Sequence, residues 1–469
     1  MMDEFLRDIY TNVFRQWILS QDQKDYQIKI NPKNDNQILI LTEYSYSEIT
    51  FNPLNIIEFN VVNTFNNEVE FYLHFQMKTL QHAIELFNEM MDSIKKLIYK
   101  PVAKILLCCS GGLTTAFFAS KMNEAAKLLY FNYEASAIGY QELFNVGDNY
   151  DIILLAPQIS YMHAKVQEIL KNQLVIKIPP QVFAKYDVGK MIAIIKDAME
   201  HYKQMPVQKS QHTLSLHTSI VCKAPILCLA IIRNSNRVHI AYRLYGRDNR
   251  IQLDKEIIKN NISFQDFYDV IDTVLAQYPD IQMIGISIPG IINNESITSA
   301  HVNGLEDINV QKMFTQKYKQ KIIFSNDVNT AVVGYYASQN QYSSLSLLFQ
   351  PNSFYAGAGT IIDGQLITGR SNIAGEVQYL PLNLSDNPLI LNKTPEGAIE
   401  LVSKIILCLM ATIDPDAIVL FCTLIPEISE LIKELEKSVP HHHIPDIIKI
   451  DNLNEYTLIG QMILCAQQL

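Results

Sequence analysis

The stretch Lys104-Ile-Leu-Leu-Cys-Cys-Ser-Gly-Gly-Leu-Thr-Thr-Ala116 decides how this chain is read. An apolar run ends at a cysteine, turns through small residues and enters a helical pattern. A thiol at that junction faces the backbone N–H groups of the turn and the positive end of a helix dipole. Cys109 is therefore placed to carry a phosphoryl group. A phosphatase loop of the Cys-x5-Arg type would need an arginine where Thr114 and Thr115 stand, and a disulfide oxidoreductase would need Cys-x-x-Cys rather than adjacent cysteines. A phosphocysteine carrier and a buried structural thiol remain open.

The bulk properties narrow the partners. The chain has 469 residues, room for about three domains of roughly 150 residues. Its net charge of −10 argues against nucleic acid as a main partner. No apolar run approaches the ~18 residues of a membrane span. The opening Met-Met-Asp-Glu-Phe-Leu-Arg lacks the apolar core of a signal peptide. Seven cysteines, an odd number without paired spacing, fit a reducing compartment. The expectation is a cytoplasmic protein without a bound cofactor or metal.

Glycine divides the chain, for the first one is Gly111. Residues 1–100 predict a helix over about 2–20, holding the single tryptophan Trp17, then four or five short strands with Asn, Pro and Asp in the turns. A second helix over about 80–99 closes this small α+β module, whose function is unreadable. Residues 101–203 alternate as a compact parallel α/β domain, with strands at 104–109, 132–138, 151–156 and 174–178. Residues 204–223 have no periodicity and predict a linker. Residues 224–469 are again α/β, with a lobe boundary expected near 325–345. His441-His-His443 sits between prolines in an expected exposed loop.

Residues 104–203 resemble the enzyme IIB component of the lactose/cellobiose class of the bacterial sugar phosphotransferase system. Cys109-Ser-Gly-Gly-Leu-Thr-Thr115, Ser120-Lys-Met122 and, about 40 residues on, Asp151-Ile-Ile-Leu-Leu-Ala-Pro-Gln-Ile-Ser-Tyr-Met162 carry that resemblance. It implies a relay in which Cys109 takes phosphate from a phosphohistidine of an enzyme IIA and passes it to a sugar in a membrane enzyme IIC. Ser110, Gly111, Gly112, Thr114 and Thr115 would cradle the phosphoryl group, and Cys108 would belong to the core.

Residues 224–469 resemble the ROK family of repressors and sugar kinases, which has a two-lobed actin/hexokinase-like fold. Gly285-Ile-Ser-Ile-Pro-Gly290, Ser325-Asn-Asp-Val-Asn329, Thr360 to Gly369 with Ala374-Gly-Glu376, and Asp414-Pro-Asp416 carry it. The resemblance implies Asp327 as general base and Asn326, Glu376 and Asn303 as sugar ligands. The nucleotide side departs from the family. Leu227 to Arg237 lacks the aspartate and glycines of a first phosphate loop, and Ser353-Phe-Tyr-Ala-Gly357 puts bulky groups in the second. Phe421-Cys-Thr423 replaces the adenosine-side glycines, and Tyr379 and Ser385 onward replace the zinc ligands.

The expected function is phosphoryl acceptance on Cys109 coupled to sensing of a sugar or sugar phosphate by a ROK-like pseudokinase. The alternatives are an active ROK-type sugar kinase using Asp327, or a non-catalytic regulatory or structural protein. Expected partners are an enzyme IIA-type protein, a membrane enzyme IIC and a further copy of the chain.

Overall fold

The computed structural model describes residues 2–21, 24–64, 67–99, 103–129, 133–202, 220–233, 237–293, 296–298, 310–352 and 354–469. The first hundred residues form α1 (Met2–Leu19), five strands and α2 (Leu80–Tyr99). The strands are β1 (Gln27–Asn31), β2 (Asn34–Leu41), β3 (Ser45–Asn52), β4 (Ile56–Asn63) and β5 (Val69–Gln76), an antiparallel meander. Alternation within β3 turns Ile49 inward and leaves Tyr46 and Glu48 outward, as a half-buried strand requires. Trp17 earns its place by ring packing. It lies 5.2 Å from Phe87 of α2, edge to face, and 5.8 Å from Phe14.

The next segment is β6 (Ala103–Cys109), α3 (Leu113–Leu129), β7 (Tyr133–Gly139), α4 (Tyr140–Val146), β8 (Ile152–Leu155), α5 (His163–Ile169), β9 (Leu174–Lys177), α6 (Pro180–Lys185) and α7 (Val188–Tyr202). Its four strands are all parallel in the order β7-β6-β8-β9. The chain thus leaves β6 toward one side and returns to the other. The carboxyl end of β6, where Cys109 sits, is a topological switch point, the usual crevice for a ligand in such sheets.

The remainder supplies β10 (Ile226–Arg233), β11 (Val238–Tyr245), β12 (Ile251–Lys259), α8 (Phe264–Gln277), β13 (Met283–Ile288), the hairpin β14 (Ile291–Asn293) and β15 (Ser296–Thr298), α9 (Val310–Lys317) and β16 (Lys321–Asn326). After these come α10 (Asp327–Ala337), β17 (Leu345–Phe349), β18 (Gly357–Ile362), β19 (Gln365–Ile367), α11 (Pro388–Leu391), α12 (Pro395–Thr412), β20 (Ala417–Phe421), α13 (Ile428–Glu436), β21 (Asp446–Lys449) and α14 (Leu453–Ala466). His441–His443 form an exposed 3-10 turn. The fold class is mixed α/β, with a parallel sheet in the region around Cys109 and mixed sheets after it.

These segments regroup into two compact units. The first holds Met1–Lys100, Ile220–Asp327 and Gln461–Leu469. Its ten-stranded sheet runs β1-β2-β3-β4-β5-β12-β11-β10-β13-β16, so the opening meander continues the later sheet instead of standing apart. The physical reason is an edge. β5 and β12 would each expose unpaired backbone groups, and they pair antiparallel at Tyr72 and Ile258. Ion pairs reinforce the join: Arg237 to Glu70 at 2.6 Å, Lys259 to Glu89 at 2.7 Å and Lys255 to Glu58 at 3.3 Å. One core runs from Phe14 and Phe87 through Tyr242 to Phe314.

Two histidines in this unit titrate in opposite senses. His82 Nε2 lies 2.9 Å from Asp269, and the hydrogen bond to that carboxylate raises the imidazole above its ordinary value against the opposing effect of burial. His82 therefore stabilises the fold fully below the unfolded value of about 6.5, and this is lost as pH rises through its raised folded value. His74 is 4% exposed beside the Tyr242 hydroxyl, and burial followed by the charge of Lys255 pushes it down to about 3. Its folded state refuses a proton that the unfolded chain accepts, so stability falls as pH drops below about 6.5. In a pH series of unfolding midpoints, His82→Gln is expected to flatten the alkaline limb and leave the acid limb in place. An unchanged alkaline limb would show that the Asp269 contact contributes nothing.

The second unit holds Pro101–Ser219 and Val328–Gly460. The parallel sheet and the five-stranded sheet β19-β18-β17-β20-β21 share one hydrophobic core, in which Leu106, Cys108, Ile153 and Leu155 join Leu401, Val402, Ile405 and Leu420. Lys165 reaches Glu430 at 3.3 Å, and Lys393 reaches Glu142 at 3.2 Å.

Candidate functional site

Strand alternation separates the two adjacent cysteines. Cys108 points into the core at 0% exposure, and burial followed by the neighbouring Cys109 pushes its thiol up to about 12. Cys109 turns to the other face, at the last residue of β6 and in register with Gly139 at the end of β7. The backbone N–H of Gly112 donates to Cys109 Sγ at 2.9 Å. Thr115 Oγ1 lies 3.3 Å from the sulfur and donates to the Gly112 carbonyl at 3.0 Å, so its proton can turn to either acceptor. Thr114 Oγ1 stands 4.0 Å away.

Burial alone would raise the Cys109 thiol. Hydrogen bonds from Thr115 and from the backbone at Gly111, Gly112 and Thr115 outweigh it and hold the thiol below its ordinary value. The seventeen-residue α3 begins just after Gly112, adding its positive end to the same spot. Gly112 is required as glycine. Its φ is +82°, and a Cβ there would lie 3.3 Å from the Gly139 nitrogen. Ser110 and Gly111 are exposed, and nothing lies within 4 Å of where a Gly111 Cβ would be. The loop is therefore ordered around the sulfur and open on its outer side. The Ala156 to Met162 run forms the turn after β8, with the Ala156 N–H donating to the Cys108 carbonyl at 2.9 Å.

Of the proposed sugar ligands, Asn326 closes β16 and Asp327 opens α10, both in the first unit. Asn326 Nδ2 donates to the Gly290 carbonyl at 3.0 Å, which joins two of the quoted motifs at the ends of neighbouring parallel strands. Glu376 belongs to the second unit, where burial raises its carboxyl against the Gln378 amide that donates to it at 3.1 Å. Gly375 before it has φ +93°, and a Cβ there would fall 1.8 Å from the Ala358 carbonyl oxygen. Asn303 lies outside the described residues, as do Ser353 and most of the expected linker.

Other contacts stand at the positions that the resemblance assigned to a nucleotide side. The side-chain amides of Gln350 and Asn392 both donate to the carbonyls of Pro351 and Phe354. That segment is thus pinned by its carbonyls, whereas a phosphate cradle needs free N–H groups. Phe421 packs its ring 5.5 Å from Phe349, and Thr423 Oγ1 bonds Asn352 at 3.0 Å. Tyr379 is 64% exposed. Ser385 is held by Glu400 through both N–H and hydroxyl, at 2.7 and 2.6 Å.

Comparison with known proteins follows this division. Residues 104–193 match the family model "PTS system, Lactose/Cellobiose specific IIB subunit", and residues 239–398 match that of the ROK family. The chain thus joins a region of enzyme IIB type to one of ROK type. The oligo-beta-mannoside-specific EIIB component of the Bacillus subtilis PTS system is 32% identical over 65 residues, 14% of this chain and 63% of that protein. The xylose repressor of Caldicellulosiruptor bescii is 28% identical over 128 residues, 26% of this chain and 32% of the repressor. This chain therefore spans less than two thirds of the length of either curated relative. Among solved structures, a ROK family glucokinase from Streptomyces griseus in complex with glucose and AMPPNP aligns at 12% identity and TM-score 0.42, covering 52% of this chain and 99% of its own.

Sequence reasoning missed Gly139, whose own Cβ position lies 3.7 Å from the Ser110 carbonyl and 3.8 Å from Gly111. A signal existed. A glycine ending the strand that flanks the nucleophile's strand lets the two loops approach.

Proposed function

We propose that this chain is a cytosolic phosphotransferase-system protein in which Cys109 accepts a phosphoryl group from the phosphohistidine of an enzyme IIA-type partner. The ROK-like region would sense a sugar or sugar phosphate in response. The observation that carries the reading is the geometry at Cys109: the Gly112 N–H donates to its sulfur at 2.9 Å, at the carboxyl end of β6 and directly before α3.

The chemistry follows from that setting. Cys109 loses its proton to solvent, and the thiolate attacks the phosphorus of the partner's phosphohistidine. An S–P bond forms as the P–N bond breaks, and the electron pair returns to the imidazole nitrogen, which takes a proton. Backbone N–H groups from Ser110 to Thr115 would hold the phosphoryl oxygens, with Thr114 and Thr115 as hydroxyl donors. Cys109 would then pass the group to a hydroxyl of a sugar held by a membrane enzyme IIC. Reconstitution with phosphoenolpyruvate, the general phosphotransferase proteins and a lactose/cellobiose-class enzyme IIA tests this. Label on the chain is expected; none, with a control enzyme IIB labelled in the same tube, would overturn it.

For the ROK-like region we propose sugar binding without ATP turnover, with Asn326 and Asp327 as ligands. The pinned carbonyls at Pro351 and Phe354 support that reading. Thermal shift should rise with the cognate sugar or sugar phosphate, by about 2.7 kcal/mol of stability at a hundredfold excess over Kd. Asn326→Ala should abolish the shift, and magnesium ATP should give none. A clear ATP shift would revive the kinase reading. Self-association is also part of the proposal, supported by α1, which leaves Phe5, Ile9 and Val13 at 64, 40 and 47% exposure on one helical stripe.

A further inference from the structure

The two threonines that follow the turn stand differently toward Cys109. Thr114 is exposed, and its Oγ1 is 4.0 Å from the sulfur. Thr115 is 0% exposed, and its Oγ1 is 3.3 Å from the same atom. It is the third residue of α3, and its hydroxyl donates back to the Gly112 carbonyl at 3.0 Å. That carbonyl also accepts from the Ala116 N–H at 3.1 Å, so it keeps a partner when the threonine proton turns away. One hydroxyl proton thus has two acceptors in reach, and the charge on the sulfur decides between them.

A thiolate draws that proton, because a hydrogen bond to an ionised acceptor is roughly twice as strong as one between neutral groups. In phosphocysteine the sulfur is bonded to phosphorus, and the charge sits on the phosphoryl oxygens. The proton then returns to the Gly112 carbonyl. Residues 105–120 hold no lysine or arginine, so within this loop only neutral donors steady a thiolate. Burial pushes the Cys109 thiol up, and the Thr115 hydroxyl is the foremost of the groups that bring it down.

We propose, resting on Cys109 as the phosphoryl acceptor, that Thr115 biases this cysteine toward giving its phosphoryl group away. Its hydroxyl stabilises the thiolate that departs more than the phosphocysteine that precedes it. In the release step the S–P bond breaks and its electron pair stays on the sulfur, while the phosphoryl group goes to the nitrogen or oxygen of the acceptor. A donor that holds the thiolate lowers the energy of that product and leaves the starting ester as it was. The bias exists only where the free cysteine is ionised, which gives it a pH signature.

The test uses full chains of wild type, Thr115→Val and Thr115→Ser. Each is equilibrated with a lactose/cellobiose-class enzyme IIA and a limited supply of phosphoryl groups, and mass spectrometry reads the ratio of phosphorylated chain to phosphorylated enzyme IIA across pH. Alkylation of Cys109 by iodoacetamide is followed over the same range. Thr115→Val should move the alkylation profile to higher pH. Above the wild-type alkylation midpoint its phosphorylation ratio should exceed the wild type's by roughly tenfold or more, the worth of a hydrogen bond to a charged group. Below that midpoint, where both thiols are protonated, the ratios should converge. Thr115→Ser keeps the hydroxyl and should match the wild type in both readouts. An unmoved alkylation profile would overturn the proposal. Equal ratios at alkaline pH would also overturn it, for the hydroxyl would then hold the phosphoryl group as firmly as the thiolate. Thr115→Ala decides by the same two readouts if Thr115→Val does not fold. If the wild-type chain takes no phosphate, the acceptor reading fails and the bias with it, while a shifted alkylation profile in the same samples still puts the Thr115 proton on the thiolate.

Discussion

Cys109→Ser is expected to reduce phosphoryl uptake from an enzyme IIA to background, while Cys108→Ser keeps most of it. The two residues are adjacent, so any general disturbance of the loop would strike both. What differs is orientation and charge. The Cys109 sulfur receives the Gly112 N–H at 2.9 Å with the Thr115 hydroxyl 3.3 Å away, and its thiol is held below the ordinary value. Both side chains are nearly closed to solvent, Cys108 at 0% and Cys109 at 2% exposure, but the Cys108 thiol is pushed up to about 12. The thiolate is thus favoured on one side of the strand and disfavoured on the other. The same asymmetry should appear in alkylation by a small reagent: Cys109 reacts ahead of Cys108, and its rate falls as pH drops through its lowered folded value. Equal loss of uptake in both serine variants would mean that loop integrity, not the nucleophile, had been tested.

The largest stability effect is expected at Asp266→Ala, a loss of about 3–5 kcal/mol. Lys259 and Asp266 are 4% and 5% exposed and 2.6 Å apart. Asp266 also accepts from the Ser263 N–H at 2.6 Å, closing a capping box at the start of α8. Its removal strands a buried ammonium whose remaining partner, Glu89, is 47% exposed and weakened by water. Attraction to both carboxylates keeps Lys259 charged against burial. Trp17, the single tryptophan, packs against the same core, so its fluorescence in urea reports this unit directly. Adding Lys259→Met to Asp266→Ala should recover part of the loss, because the uncompensated charge is then gone. A loss below about 1 kcal/mol would show that water reaches the pair.

Much of this was legible because the signals were local. Cys109, its small-residue turn and the helix behind it lie within a dozen residues, and strand alternation alone separates Cys108 from Cys109. The meander over the first hundred residues announced its strands through alternation and turn chemistry. Its continuation into β12 carried no such signal, since edge pairing between Tyr72 and Ile258 depends on chain segments far apart in sequence. Helix α4 went unseen because seven residues starting directly after a strand give too short a period to detect. The division between Thr114 and Thr115 was invisible for another reason. Adjacent hydroxyls at the start of one helix look alike in sequence, and only the Cys109 sulfur and the Gly112 carbonyl fix which of them turns inward.

The most direct test is to locate the phosphoryl group on the intact chain. After reconstitution with phosphoenolpyruvate, the general proteins and enzyme IIA, tandem mass spectrometry under conditions that preserve thiophosphate esters would map it. The expected result is a single modified site at Cys109 with Cys108 unmodified. A phosphoryl group on any histidine, serine or other cysteine, with Cys109 bare, would contradict the account.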